Sequence, residues 1–285
     1  MSGGFLSGGP LKGRSELWLR TVSAAALGAL ALFAAWAGGL PMALLWALGG
    51  AVAAWECLRL IQAAAGAGSA DQGAAAPLAC GAVTFVAALL AAAGYAGVAI
   101  WAGLAAATVA GLAFGRSAGA ALGAAAAFAA GALLAVTPPA VRADPALGLP
   151  ALLWMFAVVW ATDIGAYFAG KTFGGPKLWP AVSPGKTWSG FFGGALCGCL
   201  AGVLVLAVWA GWSGAGWIAL ASLVASVAGQ GGDLAESALK RRAGVKDSAR
   251  IIPGHGGVLD RLDAFWAVCL LAALARAALH LQRAG

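Results

Sequence analysis

The chain has 285 residues, of which 62% are hydrophobic and 9% charged, with 13 Trp and a mean hydropathy of +0.90. A soluble domain carries roughly 25% charged residues, so a water-soluble fold is excluded: the chain lacks the polar side chains to cover one. The formal net charge of +7 is not a nucleic-acid footprint either, because no stripe of Lys or Arg alternates with aromatics.

Apolar runs recur at about the roughly 20 residues that span a bilayer. They predict an all-α, polytopic integral membrane protein of about nine transmembrane helices. Residues 1–20, Gly-rich and carrying Lys12, Arg14 and Arg20, read as a basic tail or a helix on the membrane surface. The first apolar run reads as a retained helix, since Trp-containing apolar segments continue along the whole chain. The predicted spans are 21–37, 41–61, 78–96, 98–115, 118–137, 148–168, 190–210, 214–236 and 262–280. Gly38-Gly39-Leu40-Pro41 marks a turn and residues 64–77 a flexible loop. Residues 137–150, "TPPAVRADPALGLP", read as another loop because proline opposes helix continuation.

Small residues are abundant before position 135 and allow close helix packing in lipid. Residues 21–145 therefore read as a helical scaffold, compatible with a homodimer surface, and residues 146–285 as the catalytic region. Cys57, Cys80, Cys197, Cys199 and Cys269 lie in or beside apolar runs. Cys197-Gly198-Cys199 has the wrong spacing for a redox pair, so packing is the expected role.

With the N-terminus in the cytoplasm, nine helices leave all the Lys and Arg except Arg142, Arg276 and Arg283 on or bordering that side. The positive-inside rule selects this orientation. It predicts that the polar loops, 171–186 and 240–261, face cytoplasmic nucleotides; the expected location is a bacterial inner (plasma) membrane.

Residues 187–232 hold no Asp, Glu, Lys or Arg. At about 1.5 Å per residue they can cross the membrane and return, bringing "SPGKTWSG" (183–190) and "GGDLAESALKRR" (231–242) to one face, next to 244–263. Asp163, expected near the end of an apolar helix, is costly there and calls for an ion or a partner. Asp233, Glu236, Ser237 and Lys240 share one helical face by their spacing. Two carboxylates with a hydroxyl suit a hard divalent cation, and the lysine suits phosphate. Snorkelling basic residues at a helix end would explain Lys240, Arg241 and Arg242 equally well, but not the acids. Asp260 and Asp263 follow at i and i+3, where they also complement a helix dipole. The glycines around His255 permit close backbone approach to phosphate, or simply a turn. The GKT of "SPGKTWSG" lacks the Gly-rich approach of a P-loop, and two histidines argue against catalytic zinc.

"SALKRRAGVKDSARIIPGHGGVLDRLD" (237–263) resembles the C-terminal motif of phosphatidate cytidylyltransferases, or CDP-diacylglycerol synthases, at Ser237, Leu239-Lys240-Arg241, Lys246-Asp247, Pro253, His255-Gly256-Gly257, Asp260-Arg261 and Asp263. "DIGAYFAGKTFGG" and "SPGKTWSG" resemble upstream motifs of that family, with residues 155–265 carrying the likeness. Two positions depart: Gly185 stands where the family commonly has a basic residue, and Ser189 where it has glutamate.

The resemblance implies transfer of a cytidylyl group from CTP to phosphatidate, giving CDP-diacylglycerol and diphosphate, in a protein embedded among membrane lipids and with no nucleic-acid partner. It places Asp233 and Asp260 at a metal centre, with Mg²⁺ as cofactor and Asp263 and Glu236 as further ligands. Lys186, Lys240, Lys246 and Arg261 are the expected phosphate-binding cations. Ser183, Thr187 and Ser237 are the expected hydroxyl contacts, and His255 either touches nucleotide or shapes its loop. Other readings are a different membrane CTP-dependent lipid transferase or kinase, or an ion-coupled transporter. The paired inverted repeats of a transporter are not evident.

Overall fold

The computed structural model describes residues 10–66, 74–115 and 117–284. Residues 1–9 of the predicted basic tail, residues 67–73 of the 64–77 loop and Arg116 lie outside the described residues, and the rest of the tail opens the first helix. Among the described residues the fold is all-α but for one small hairpin. Its helices are α1 (Pro10–Ala37), α2 (Gly39–Ala64), α3 (Ala75–Leu90), α4 (Ala96–Gly115), α5 (Ala118–Arg142), α6 (Gly148–Phe173), α7 (Trp188–Ala210), α8 (Ala215–Arg242) and α9 (Leu259–Ala284).

Among the described residues, eight helical stretches are long and apolar enough to cross a membrane, and their outer faces carry exposed Leu, Val, Phe and Trp. This is a polytopic membrane protein. One of the eight, Ala75–Ala113, contains α3 and most of α4. A π-helical segment, Ala91–Tyr95, joins them, and Gly94 inside it sits at φ 99°, a conformation that costs glycine little. The chain turns back there, so that a Cβ on Gly103 of α4 would lie 3.2 Å from Cβ of Ala87 on α3.

Two sequence expectations need correction. The 137–150 segment is not all loop: α5 continues through Pro138 and Pro139 to Arg142. In a membrane helix, neighbouring helices can accommodate the carbonyls that proline leaves without a donor. Here the helix resumes its ladder at once, the Ala143 N–H donating to the Pro139 carbonyl at 3.0 Å. Helix α6 likewise runs five residues past the expected 168, so Asp163 sits within the helix, ten residues before its end. The loop after α6 also holds an antiparallel hairpin, β1 (Lys177–Trp179) with β2 (Ser183–Thr187), pairing Lys177 with Thr187 and Trp179 with Ser183.

Small residues set the helix spacing. Gly50 of α2 faces the Gly131 backbone and Ala135 of α5, while Gly165 of α6 lies against Cys197 of α7. The five cysteines are free: Cys80 and Cys269 are buried, Cys57 and Cys199 partly buried, and Cys197 is exposed. The main core joins both halves of the chain. Trp46 of α2 stacks on Phe265 of α9, with ring centroids 5.0 Å apart, and Phe156 of α6 lies 5.3 Å from Phe265. Such pairs contribute about 0.5–1.5 kcal/mol each beyond their buried area. At the opposite end, Arg142 donates from Nε to the Ala35 carbonyl at 2.5 Å and from a terminal nitrogen to Trp36 at 3.2 Å, closing the end of α1.

Candidate active site

The charge-free stretch 187–232 forms α7 and most of α8, two antiparallel helices that leave one face of the bundle and return to it. The return is exact enough for an ion pair: Lys186 Nζ, at the end of β2, lies 2.5 Å from Asp233 Oδ2 on α8. Thr187 caps α7, its Oγ1 accepting from the Gly190 N–H at 3.1 Å. It is buried in that role, rather than open to a ligand. Ser189 bonds Thr187 at 3.0 Å and donates to the Gly174 carbonyl. A glutamate here would have to forgo that donation, so the departure at Ser189 has a local structural use.

Helices α8 and α9 approach closely because Gly232 carries no side chain. A Cβ there would meet the Asp263 carbonyl oxygen at 2.6 Å and Ala267 Cβ at 2.9 Å. This closeness brings Asp233 beside Asp263, and Asp163 of α6 completes the group. The three carboxylates lie within Coulombic reach of one another, with Lys186 and Arg261 near Asp163. Asp163 is exposed and Asp233 half-buried, so this cluster is open to a ligand. Ser237 donates to Asp233 at 3.4 Å, a weak contact.

A second, closed cluster lies next to it. Lys240 Nζ is 2.7 Å from Asp260 Oδ1 and also pairs with Glu236. The Asp260 side chain is 2% exposed and that of Lys240 11%. Asp260 accepts in addition from the Ser248 N–H at 2.9 Å and the Gly257 N–H at 2.8 Å, with the Ser248 hydroxyl oxygen 3.1 Å away. Its two oxygens are therefore engaged by Lys240 and two backbone N–H groups, which hold the 244–258 segment across the site.

The sequence reading missed the residue behind this segment. Glu56 of α2 is wholly buried and accepts from the Ser248 hydroxyl at 2.8 Å, the Val258 N–H at 2.9 Å and the Leu259 N–H at 2.6 Å. It caps α9 from a helix assigned to the scaffold. The signal was present: a lone carboxylate in "AVAAWECLRL" is as costly in a bilayer as Asp163.

The turn at 252–257 fits over these carboxylates only because it is glycine-rich. Ile252 N–H donates to the Gly256 carbonyl at 2.8 Å, and Gly256 adopts φ 85° with its α-carbon against Asp260. A Cβ on Gly257 would overlap the Ser248 hydroxyl and lie 2.5 and 2.6 Å from the Glu56 carboxylate oxygens. Gly257→Ala is therefore expected to cost about 1–3 kcal/mol of stability, read as a lower denaturation midpoint in detergent. An unchanged midpoint would mean the turn has room that this packing denies it.

His255 bonds Ser23 of α1 through Nδ1 at 2.7 Å, and Ser23 also reaches the Pro253 carbonyl at 3.2 Å. In this arrangement the ring latches α1 to the turn. Partial burial, then the Arg261 cation, holds its pKa below the usual 6.5. A lowered folded pKa favours the neutral ring, so its contribution is complete above the unfolded pKa and lost as pH falls through the folded value. The stability gap between wild type and His255→Ala should thus be largest above pH ~6.5 and shrink on acidification, as followed by thermal melts across pH. A gap that widens toward acid pH would contradict this.

Lys246 is exposed, with no ion pair among the described residues, and Ser183 is partly buried on β2. Arg241 donates from Nε to the Val182 carbonyl at 3.2 Å, pinning the hairpin to the end of α8. Among the described residues no three His, Cys, Asp or Glu side chains form a ready-made metal cage.

A bundle of membrane-length helices with carboxylates and lysines gathered at one end defines a class: polytopic membrane proteins with a charged site. Residues 18–279 match the cytidylyltransferase family, and the chain belongs to it. It is 50% identical over 131 residues to a phosphatidate cytidylyltransferase of Brucella suis biovar 1 (strain 1330), covering 46% of this chain and 48% of that protein. It is 51% identical over 119 residues to one from Staphylococcus epidermidis (strain ATCC 12228 / FDA PCI 1200), covering 41% of this chain and 45% of the relative. The matched stretch spans about half the length of the relatives.

Proposed function

We propose that the protein is a phosphatidate cytidylyltransferase of a bacterial plasma membrane, with nine membrane crossings and its charged face in the cytoplasm. The observation that carries this reading is the meeting of Lys186 with Asp233, beside Lys240 with Asp260. Cations and carboxylates from motifs far apart in sequence alternate at one end of the bundle, as a site for two phosphate-bearing substrates requires. The relatives' activity and the family membership support the same reading.

In this reaction a phosphate oxygen of phosphatidate attacks the α-phosphorus of CTP. A new P–O bond forms, the bond from the α-phosphorus to the bridging oxygen breaks, and diphosphate leaves with the electron pair. A phosphate monoester has a second pKa of about 6 and is largely ionised at neutral pH, so no protein base is needed. The difficulty is to gather the anions and neutralise the leaving group. Lys186, Lys246 and Arg261 do this by binding phosphate oxygens, while Lys240 keeps Asp260 in place and Asp260 keeps the 244–258 segment closed over the site.

The residues present fit Mg²⁺. This ion takes one or two carboxylates and completes its shell with water and substrate phosphates, so a three-ligand protein cage is not required. Asp233, with Asp263 or Asp163, offers open oxygen donors. Asp260 would join them only by giving up Lys240 or a backbone donor, whereas Glu236 keeps one buried oxygen, Oε1, without a hydrogen-bond partner and can offer it while still paired with Lys240. Bound there, Mg²⁺ supplies charge neutralisation of the reacting phosphates. The transfer of Lys186 from Asp233 to a phosphate oxygen accompanies substrate entry.

The purified protein in proteoliposomes, given CTP, phosphatidate and Mg²⁺, is expected to form CDP-diacylglycerol and diphosphate in equal amounts. Folded protein that forms neither product would overturn the reading.

A further inference from the structure

We infer that Glu56 is a positioning residue of the active site, through which the N-terminal helical half sets the geometry of the catalytic face; this rests on the function proposed above. Three of its contacts converge on the segment that closes the site. The Val258 and Leu259 N–H groups belong to the start of α9, the helix that carries Asp260 and Asp263. The Ser248 hydroxyl oxygen lies 2.8 Å from Glu56 and 3.1 Å from Asp260, so the two carboxylates share its one proton. A chain of contacts thus runs from Glu56 through Ser248 to Asp260 and Lys240.

A helix N-terminus can be capped from its own chain by Ser, Thr, Asp or Asn just before the first turn. Here a carboxylate from a helix about 200 residues away performs that task. A remote cap fixes the helix start in three dimensions, not merely along its axis, and it does so from a wholly buried position. Gly257, with no room for a Cβ against Glu56, brings the segment down onto the carboxylate. Supporting contacts of this kind hold reacting groups to within about 0.5 Å of productive geometry.

The test uses the full-length protein in detergent and proteoliposomes. Glu56→Gln keeps the shape but replaces one acceptor oxygen with a donor NH₂. Turnover per folded molecule is expected to fall by about 10-fold or more, with amide hydrogen exchange in 246–259 accelerated and that of α6 and α7 unchanged. Glu56→Asp is expected to recover part of the loss. Because Glu56 acts through Ser248, the double variant Glu56→Gln/Ser248→Ala should be hardly slower than Glu56→Gln alone, the non-additivity expected of one contact chain. Turnover per folded molecule within twofold of wild type, or losses that multiply in the double variant, would overturn the proposal. Should Glu56→Gln not fold, Ser248→Ala decides: it removes one bridging hydroxyl and is expected to slow turnover severalfold, and an unchanged rate would refute the link. Hydrogen exchange reads the role of Glu56 even if the wild-type protein proves inactive with CTP and phosphatidate, an outcome that would instead defeat the functional reading.

Discussion

Lys240→Met is expected to destabilise the protein by about 3–5 kcal/mol, because it strands two buried carboxylates without their cation. Asp260 and Glu236 share the Lys240 ammonium, and both side chains are almost wholly enclosed. The loss comes less from the missing attraction than from charge left in a poorly hydrated place, where desolvation is no longer offset. The segment 244–258 should loosen as well, since Asp260 holds it through Ser248 and Gly257. Equilibrium unfolding in mixed detergent measures the effect. A stability within about 0.5 kcal/mol of wild type, the range of an ordinary surface substitution, would show that the closed cluster is not a structural unit.

Asp233→Asn is expected to have the opposite profile, with a small change in stability and a large one in turnover. The Lys186 and Asp233 side chains are 27% and 31% exposed, with the Lys186 nitrogen enclosed, and a partly exposed pair contributes about 1 kcal/mol. Its carboxylate, however, is the best-placed open oxygen donor at the meeting point of β2, α8 and α9. Removing one group that stabilises developing charge typically costs about 10²–10³-fold in rate. Steady-state kinetics over a range of Mg²⁺ concentrations should show that loss, with the fold intact by gel filtration. A variant as active as wild type at limiting Mg²⁺ would remove Asp233 from the metal site.

The contrast between the two substitutions reflects two kinds of legibility in the sequence. The spans and the convergence of 183–190 with 231–242 could be read from hydropathy and from the 46-residue gap in charge. Both are consequences of the bilayer as solvent, which forbids isolated charge and fixes segment length. The division of labour among the acids could not be read. Spacing places Asp233 and Glu236 on one helical face, yet one is open and the other enclosed, because Lys240 and Asp260 close over Glu236 alone.

Glu56 escaped for a different reason. The lone carboxylate in "WECLRL" signals that a partner is needed, but nothing local says that the partners are Ser248, Val258 and Leu259, about 200 residues distant. Pro138 and Pro139 misled in the reverse direction: proline's local rule against helix continuation yields to tertiary packing in a membrane bundle. The hairpin β1–β2 is too short for a periodic signal, with strands of three and five residues. It matters all the same, because it carries Lys186 to Asp233.

The central claim is that this face of the bundle transfers the α-phosphoryl-bearing half of CTP to a lipid phosphate. The most direct measurement is to give the reconstituted protein CTP labelled at either the α- or the γ-phosphorus, together with phosphatidate and Mg²⁺, and to follow the label into lipid. The account predicts that α-label enters the lipid and γ-label leaves as water-soluble diphosphate. Label from the γ-position in the lipid, with none from the α-position, would identify a kinase and contradict it.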